Sequence, residues 1–199
     1  KDSVLELRSD FAKNMVTSLI RIEGRPLGLF ANSTRHLGGA IDSDAADKAA
    51  RFLQLCNAFQ IPVVSLCDTP GFMVGPEHEE LGLIRHSSRL FIMAAALEVP
   101  LITIVLRKAY GLGAMAMAGG SFHESFLTLS WQSGEFGAMG LEGAVKLGFK
   151  KELEQAKNTK GKLRPKFISL AEKVQFSFKV FSFSLCFLTP AGHLIDFVK

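Results

Sequence analysis

Apolar positions along this chain form two kinds of pattern. Continuous runs rich in Val, Ile, Leu and Phe predict strands at residues 15–22, 27–32, 61–67, 101–106 and 126–131. Apolar residues spaced three or four apart, or small residues in a block, predict helices at residues 43–59, 77–98, 114–118 and 144–155. From residue 27 onward strands and helices alternate, which predicts an α/β domain with a largely parallel sheet.

The first long helix has a clear amphipathic pattern. Residues 42–44 (Asp-Ser-Asp) offer an N-cap, and the residues that follow place apolar side chains three or four apart as far as Phe59. Lys48, Arg51 and Gln54 fall outside this apolar stripe. We therefore expect the helix to bury one face and to keep these three polar side chains off it.

Two later elements have almost no polar positions. Residues 90–97 are apolar nearly all round at the centre of the helix predicted at 77–98, so we expect this centre to be buried. The strand at 61–67 shows no alternation of apolar and polar residues. We expect it to be covered on both faces, as strands of parallel sheets are.

Glycine-rich loops follow two of the predicted strands. Residues 68–76 come after the strand at 61–67, and residues 108–113 come after the strand at 101–106. Because ligands of parallel sheets bind beyond the carboxyl ends of the strands, both loops should contribute to one site. The second loop also opens a helix, whose free backbone N–H groups and dipole favour an anion or an oxyanion.

Each of these features also has a purely structural interpretation. Residues 111–114 (Gly-Leu-Gly-Ala) could be an ordinary strand-to-helix turn, because they do not complete a phosphate-binding motif. The segment 68–72 could be a substrate wall or a rigid loop in which Asp68 caps the backbone. Arg107 and Lys108 could attract phosphate or carboxylate, or could form a solvated charge pair.

Charge and hydropathy narrow the range of partners. The 199 residues carry a formal charge of +4, but residues 158–199 hold seven Lys or Arg and two acidic residues, so residues 1–157 are nearly neutral. This distribution argues against a nucleic-acid-binding domain. Since no window reaches the ~18 uninterrupted apolar residues of a spanning helix, we expect no membrane partner.

Targeting and redox signals favour a reducing compartment. The chain begins at Lys1 without a signal-peptide pattern, so we expect a fragment or a processed product that is not secreted. Cys56, Cys67 and Cys186 stand in no paired motif, which predicts buried thiols. The bacterial cytoplasm and the mitochondrial matrix both fit these observations.

Few residues offer acid, base, nucleophile or metal chemistry. The five histidines show no ligand spacing, so we expect no metal site. No serine lies in a GxSxG motif and no cysteine is paired with a nearby histidine, so covalent catalysis is not indicated. Glu135 and Glu142 are the candidate acid/base pair, although Glu142 also suits the start of the last helix.

Seven short motifs together resemble those of one enzyme family. They follow the family's order, as FAKN at 11–14, RIEGRP at 21–26, DKAARF at 47–52, DTPGF at 68–72, IRH at 84–86, RKAYG at 107–111 and MGLEGAV at 139–145. By these motifs the chain resembles the C-terminal half of a CoA carboxyltransferase, the β-subunit family of biotin-dependent acyl-CoA carboxylases.

The resemblance implies a fold and a reaction. The fold is crotonase-like, a spiral of ββα units, and the reaction moves a carboxyl group from carboxybiotin to the α-carbon of an acyl-CoA. The biotin nitrogen takes the α-proton, so the cofactor supplies the base. The protein then needs only to hold two oxyanions in a dry site, which accounts for the shortage of acid/base residues.

The resemblance also assigns the site by motif position. The backbone N–H groups of Gly113 and Ala114 resemble the oxyanion hole that faces biotin. Pro70, Gly71 and Phe72 resemble a wall of the biotin and acyl pocket. Both groups lie in the two glycine-rich loops that the topology already singles out.

Four further residues belong to the same expected pocket. Tyr110 and Gly111 begin the turn, and Met115 and Ala116 occupy positions that shape the acyl end. Propionyl-type relatives have Tyr and an acidic residue at these last two positions. The apolar Ala116 therefore suggests a different acyl preference.

The resemblance ends near residue 157. The N-terminal half of the family, which supplies most CoA contacts, has no counterpart, so we expect it on another polypeptide. We predict a carboxyltransferase C-terminal domain at 1–157 and a Phe-, Ser- and Lys-rich tail at 158–199 that does not match the family's ending. The tail could reflect an altered reading frame or unspliced sequence.

The family implies three partners: the N-terminal carboxyltransferase half, a biotin carboxylase or carrier subunit, and further copies of the chain in a homo-oligomer. Two other functions stay open. A free-standing crotonase-like hydratase or decarboxylase would need Glu135 or Glu142 as its acid/base. A truncated subunit without activity would need neither.

Overall fold

A computed structural model of the chain describes residues 3–157, 166 and 168–170. In chain order its elements are β1 (Val4–Glu6), β2 (Met15–Ile22), β3 (Arg25–Asn32), α1 (Ser43–Ala58), β4 (Val63–Thr69), α2 (Pro76–Glu80), α3 (Leu83–Ala95), β5 (Leu101–Tyr110), α4 (Gly111–Met117), β6 (Leu127–Ser130), β7 (Glu135–Gly137), α5 (Leu141–Gly148) and α6 (Lys150–Lys157). A short 3-10 turn, Leu37–Gly39, precedes α1.

The strands form one sheet in the order β1-β2-β3-β4-β5-β6, and β7 also pairs with β5. The pairs β1–β2 and β2–β3 are antiparallel, whereas β3 to β6 run parallel and β7 is parallel to β5. On one side β5 pairs with β4, and on its other side it pairs first with β6 and then with β7. The predicted α/β class with a largely parallel core is confirmed.

Helix α1 forms as its pattern predicts, except that Phe59, the predicted last member of its apolar stripe, follows the helix and is 70% exposed. The helix is tied to α3 by charge. The Asp42 carboxylate accepts a hydrogen bond of 2.9 Å from the Ala45 N–H and so caps the helix. One turn later, the Asp47 carboxylate lies 2.8 Å from His86 Nδ1 and 2.9 Å from an Arg89 guanidinium nitrogen. This cluster fixes the two helices over the sheet.

Lys48 departs from the expectation that it lies off the buried face. Its side chain is only 2% exposed, and its Nζ donates a 2.7 Å hydrogen bond to the carbonyl of Phe11. Burial lowers the pKa of its ammonium group. The segment before β2 covers this side of α1, which helical spacing alone does not reveal. Arg51 and Gln54 are exposed as expected.

The helix predicted at 77–98 is wrong in two respects. It is divided into α2 and α3 by Gly82, which has the left-handed φ of 72°. Its centre at 90–97 is also not buried all round, because Ile92 is 64% exposed, although Leu90 is fully buried. A uniformly apolar run therefore did not distinguish the face against the core from the face against solvent.

The expectation that β4 is covered on both faces is also wrong for the described residues. Its side chains alternate between buried and half-buried, and the buried set is Val63, Ser65, Cys67 and Thr69. The apolar members of that set join one cluster with residues of α1, α3 and α4. An apolar run indicates that both faces of a strand can be buried. It does not indicate which segments of the chain cover them.

The cysteines within the described residues are buried free thiols, as predicted. Burial raises the pKa of Cys56 to about 11 and that of Cys67 to about 12. Both thiols are therefore protonated at neutral pH. Cys186 lies outside the described residues.

The last residues that the structure describes form a small hydrophobic cluster, separate from the main core. The helix predicted at 144–155 is two helices, α5 and α6, and Val145 and Leu153 pack with Leu170. The strand-like run at 174–188 lies outside the described residues, as does most of the tail predicted at 158–199. None of the helices described is both long and apolar enough to cross a membrane.

We predict that Lys48→Met lowers the free energy of unfolding by roughly 1–3 kcal/mol, because the Phe11 carbonyl loses its donor. Urea denaturation measures this change. The matched control is Arg51→Met on the exposed side of the same helix, which should stay within about 0.5 kcal/mol of the wild type. Equal effects of the two substitutions would contradict a stabilising role for the hydrogen bond from Lys48 to the Phe11 carbonyl.

Candidate functional site

The loop after β4 and the first turn of α4, which follows β5 directly, meet at the carboxyl edge of the sheet. Thr69 and Ala109 are register partners, so the two strands end side by side. A Cβ atom on Gly113 would lie 2.7 Å from the carbonyl carbon of Gly71 and 2.9 Å from the amide nitrogen of Phe72. Any side chain at position 113 would displace the neighbouring loop. The two predicted segments therefore converge, as the sequence predicts. The second is not a loop, however, because residues 108–110 belong to β5 and residues 111–113 belong to α4.

Hydrogen bonds fix the loop that carries Gly71. The Thr69 hydroxyl donates to the Gly71 carbonyl at 3.2 Å and accepts from the Gly71 N–H at 3.1 Å. The Ile41 N–H also donates to the Gly71 carbonyl at 3.0 Å, and the Met73 N–H donates to the Ile41 carbonyl at 2.9 Å. The segment before α1 thus holds the predicted wall loop in place, while Pro70 is exposed at its tip.

Arg107 and Lys108 are engaged by the protein. Asp68 pairs with the Arg107 guanidinium at 3.2 Å and accepts a 3.2 Å hydrogen bond from the Lys108 backbone N–H. The Lys108 ammonium donates to the carbonyl of Gly38 at 2.8 Å. These groups join the ends of β4 and β5 to the 3-10 turn before α1, which favours a structural role over the attraction of a phosphate or a carboxylate.

Helix α4 begins directly at the end of β5. Tyr110 is its N-cap in extended conformation, and Gly111 follows with φ +59°, a left-handed value that suits glycine. The N–H groups of Gly111, Leu112 and Gly113 lie in the first turn, where a helix offers no internal acceptor. Of the two predicted oxyanion donors, Gly113 is one of these three residues, and Ala114 is the next residue along α4.

The side chains of α4 divide into a buried and an exposed set. Ala114 and Ala116 are fully buried, whereas Leu112 is 64% exposed and Met115 is 39% exposed. Of the two residues expected to shape the acyl end, Met115 therefore reaches the surface and Ala116 packs in the core. Leu112 lies on the same side of the helix as Met115, and the i, i+3 spacing is the signal that identifies it.

The candidate acid/base carboxylates are engaged differently. Glu135 accepts a hydrogen bond from the hydroxyl of Tyr110. The side chain of Glu142 is 71% exposed and accepts a 2.5 Å bond from Lys146, which lowers the pKa of Glu142. A carboxylate held in its charged form on the surface is poorly suited to donate a proton. The structure therefore does not support Glu142 as part of a buried acid/base pair.

Two hydrogen-bonded contacts at the site were not predicted from the sequence. The Thr69 hydroxyl hydrogen-bonds to the backbone of Gly71. The Glu135 carboxylate accepts a hydrogen bond from the hydroxyl of Tyr110, which lies 25 residues earlier in the chain. A threonine beside a Pro-Gly turn is a local signal that could have been used. Within the described residues, no three His, Cys, Asp or Glu side chains group closely enough to hold a metal ion.

Comparison with known proteins assigns the fold and then the family. The parallel sheet with its converging loops matches carboxyltransferases of known structure and is a crotonase-like domain. The family model described as "Carboxyl transferase domain" matches residues 1–181. The chain therefore belongs to the carboxyl transferase domain family. The match extends past the domain boundary predicted at residue 158, and that boundary stays a prediction.

Three relatives illustrate the range of the family. The biotin-dependent acetyl-/propionyl-coenzyme A carboxylase β5 subunit of Mycobacterium tuberculosis (strain H37Rv) is 39% identical over 155 residues, 78% of this chain. A single-chain, multi-domain long-chain acyl-CoA carboxylase superposes with a TM-score of 0.82 at 49% identity, covering 96% of this chain and 19% of its own. The transcarboxylase 12S hexamer with methylmalonyl-coenzyme A bound gives a TM-score of 0.78 at 36% identity, with coverage of 88% and 33%.

The relatives are much longer than the segment they share with this chain. The aligned region spans 28% of the Mycobacterium tuberculosis subunit. This chain therefore matches one part of such a protein.

We predict that Gly113→Ala destabilises the chain by roughly 1–3 kcal/mol, because the added methyl group overlaps the backbone of Gly71. Thermal or urea unfolding measures the loss. The matched control is Gly148→Ala, since a Cβ there meets no atom within 4 Å and the residue lies in α5. This control should be neutral or stabilising by up to about 1 kcal/mol. A Gly113→Ala protein as stable as the control would show that the two loops are not tightly packed.

Proposed function

We propose that this chain supplies one half of a carboxyltransferase site, at which a carboxyl group moves from carboxybiotin to the α-carbon of an acyl-CoA. The observation that carries the proposal is the contact of Gly113 with Gly71 and Phe72 in a chain of this family. That contact places the first turn of α4 directly against the predicted wall loop.

The residues at this edge suit the uncharged ureido group of biotin. Backbone N–H groups are donors for a ureido oxygen that gains negative charge, and Phe72 offers a half-buried apolar surface beside them. Arg107 and Lys108 are occupied by Asp68 and Gly38, so the site does not favour a phosphate in that place. When bound, carboxybiotin supplies the carboxyl group and a nitrogen base for the α-proton.

The chain's own contribution is to bind, orient and exclude water. In this proposal the N–H groups of Gly113 and Ala114 donate to the ureido oxygen, and loss of one such donor costs ~10²–10³ in rate. Pro70, Gly71 and Phe72 form the wall that keeps the reacting atoms dry. Because these groups are mostly main chain, their placement depends on the packing of the two loops rather than on side-chain chemistry.

A complete site requires more than this chain. We place the CoA contacts and the second oxyanion hole on an N-terminal carboxyltransferase half, contributed by another segment or subunit. A biotin carrier with its carboxylase would deliver the carboxyl group, and copies of the chain would form a homo-oligomer. Support comes from the relatives, which are described as a β subunit, a multi-domain carboxylase and a hexamer.

The substrate class that we propose is an acyl-CoA. The exposed α4 side chain of Met115 would shape its acyl end, whereas Ala116 packs in the core and would act only through the position of α4. Relatives are named for acetyl-, propionyl-, methylmalonyl- and long-chain acyl-CoA. We place the reaction in the cytoplasm or the mitochondrial matrix, since the buried free thiols Cys56 and Cys67 are typical of reducing compartments.

We predict that the chain, combined with an N-terminal carboxyltransferase half, transfers labelled carboxyl from carboxybiotin to acetyl-CoA or propionyl-CoA. Gly113→Ala should lower kcat by at least ~10²-fold by moving the oxyanion donors, while Gly148→Ala should retain full activity. Radiolabel recovered in the acyl-CoA product measures the transfer. Absence of transfer with both halves present would support a subunit without catalytic activity.

We predict that Glu142→Gln leaves carboxyl transfer within about twofold of the wild type, because the carboxylate is exposed and paired with Lys146. A hydratase that used Glu142 as its acid or base would instead lose its turnover. Measuring enoyl-CoA hydration without biotin in the same variant separates the two functions. Hydration that disappears on substitution would overturn the carboxyltransferase proposal.

A further inference from the structure

We propose that Tyr110 and Glu135 are positioning residues, whose hydrogen bond anchors the first turn of α4 so that its N–H groups face the reacting carboxyl donor. The role of this turn in the reaction rests on the proposed function. The anchoring itself is a property of this chain and is measurable without activity.

Tyr110 stands where the strand becomes the helix. It is the last residue of β5 and the N-cap of α4, so Gly111, Leu112 and Gly113 follow it directly. Its side chain is 5% exposed. A change in the orientation of Tyr110 therefore moves the first-turn amides, because only two backbone torsions per residue separate them from it.

Glu135 provides the anchor from a neighbouring strand. It is the first residue of β7, which pairs with β5 over three residues only, and its register partner is Lys108. So short a pairing supplies few backbone hydrogen bonds. The bond from the Tyr110 hydroxyl to the Glu135 carboxylate is charge-assisted and adds a strong link between the two strands.

The loop after β7 packs on the same turn. A Cβ atom on Gly111 would lie 3.1 Å from the carbonyl oxygen of Ala138, and one on Gly140 would lie 3.7 Å from the Tyr110 ring. The turn is therefore held between two loops, with Gly71 against Gly113 on one side and Ala138 against Gly111 on the other. The Tyr110–Glu135 bond links the turn to the second of these loops.

The hydroxyl of Tyr110 acts as a permanent donor. Burial raises the pKa of the phenol, and the hydrogen bond to Glu135 and its charge raise it further. The phenol keeps its proton throughout the neutral range, so it holds the carboxylate and does not serve as an acid or a base. A role through position rather than through proton transfer follows from this arrangement.

The test compares four variants of the full chain by amide hydrogen exchange in the segment 110–117. Tyr110→Phe and Glu135→Leu should accelerate exchange there roughly tenfold, because each removes the bond. Glu135→Gln keeps an oxygen acceptor but loses the charge, so its exchange should lie between that of the wild type and that of Glu135→Leu. The matched control is Thr103→Val, which removes the buried 2.8 Å bond between Thr103 on β5 and Ser125. Ser125 keeps its own bond to the Ala118 carbonyl at the end of α4, so exchange in the segment 110–117 should stay unchanged.

The second readout is carboxyl transfer in the assembly with the N-terminal half. Tyr110→Phe should lower kcat about tenfold with KM for the acyl-CoA unchanged, since the affected turn faces the carboxyl donor. Glu135→Gln should restore most of kcat relative to Glu135→Leu. Thr103→Val should lower the melting temperature to a similar extent without this loss in kcat.

Three outcomes decide the inference. Unchanged exchange in Tyr110→Phe, or an equal change in Thr103→Val, would overturn the anchoring. Faster exchange with unaltered kcat would overturn its role in the reaction. If the wild-type assembly transfers no carboxyl group, the proposed function fails, and hydrogen exchange still decides whether the pair holds the turn.

Discussion

The structure depends most on a contact between two backbones at the edge of the sheet. Gly113 lies so close to Gly71 and Phe72 that no side chain fits between the loop after β4 and the first turn of α4. This contact exists because β4 and β5 are parallel neighbours that end at the same level, with Thr69 opposite Ala109. A change in either loop is therefore transmitted to the other, since packed backbone has little freedom to yield.

The remaining interactions around this contact serve to fix main-chain atoms. Thr69 and the Ile41 backbone hold Gly71, Asp68 joins the ends of β4 and β5, and Tyr110 ties the turn to β7. A site built in this way can orient hydrogen-bond donors but offers little acid/base chemistry. That balance suits a reaction in which the substrate brings its own proton acceptor, and it agrees with membership of the carboxyl transferase domain family.

Much of the fold was predictable from local signals. The N-cap at Asp42 and the apolar stripe predicted α1, and the apolar run followed by glycines predicted a strand and then a helix. In the structure β5 continues to Tyr110 and α4 begins at Gly111, where a loop was expected. The convergence of the two loops followed from a general rule for parallel sheets, that their strands' carboxyl ends share one edge. These predictions succeeded because each depends on spacing within a short stretch or on topology alone.

The sequence by itself determined the α/β class, the two glycine loops and their common edge, because periodicity and turn residues act over a few positions. Only the tertiary structure decided that Lys48 is buried beneath the segment before β2, that Ile92 faces solvent, and that Tyr110 meets Glu135. It also placed Glu142 on the surface beside Lys146. The physical reason is the same in each case: helical or strand spacing shows which residues share a face, but the segment that covers that face comes from elsewhere in the chain.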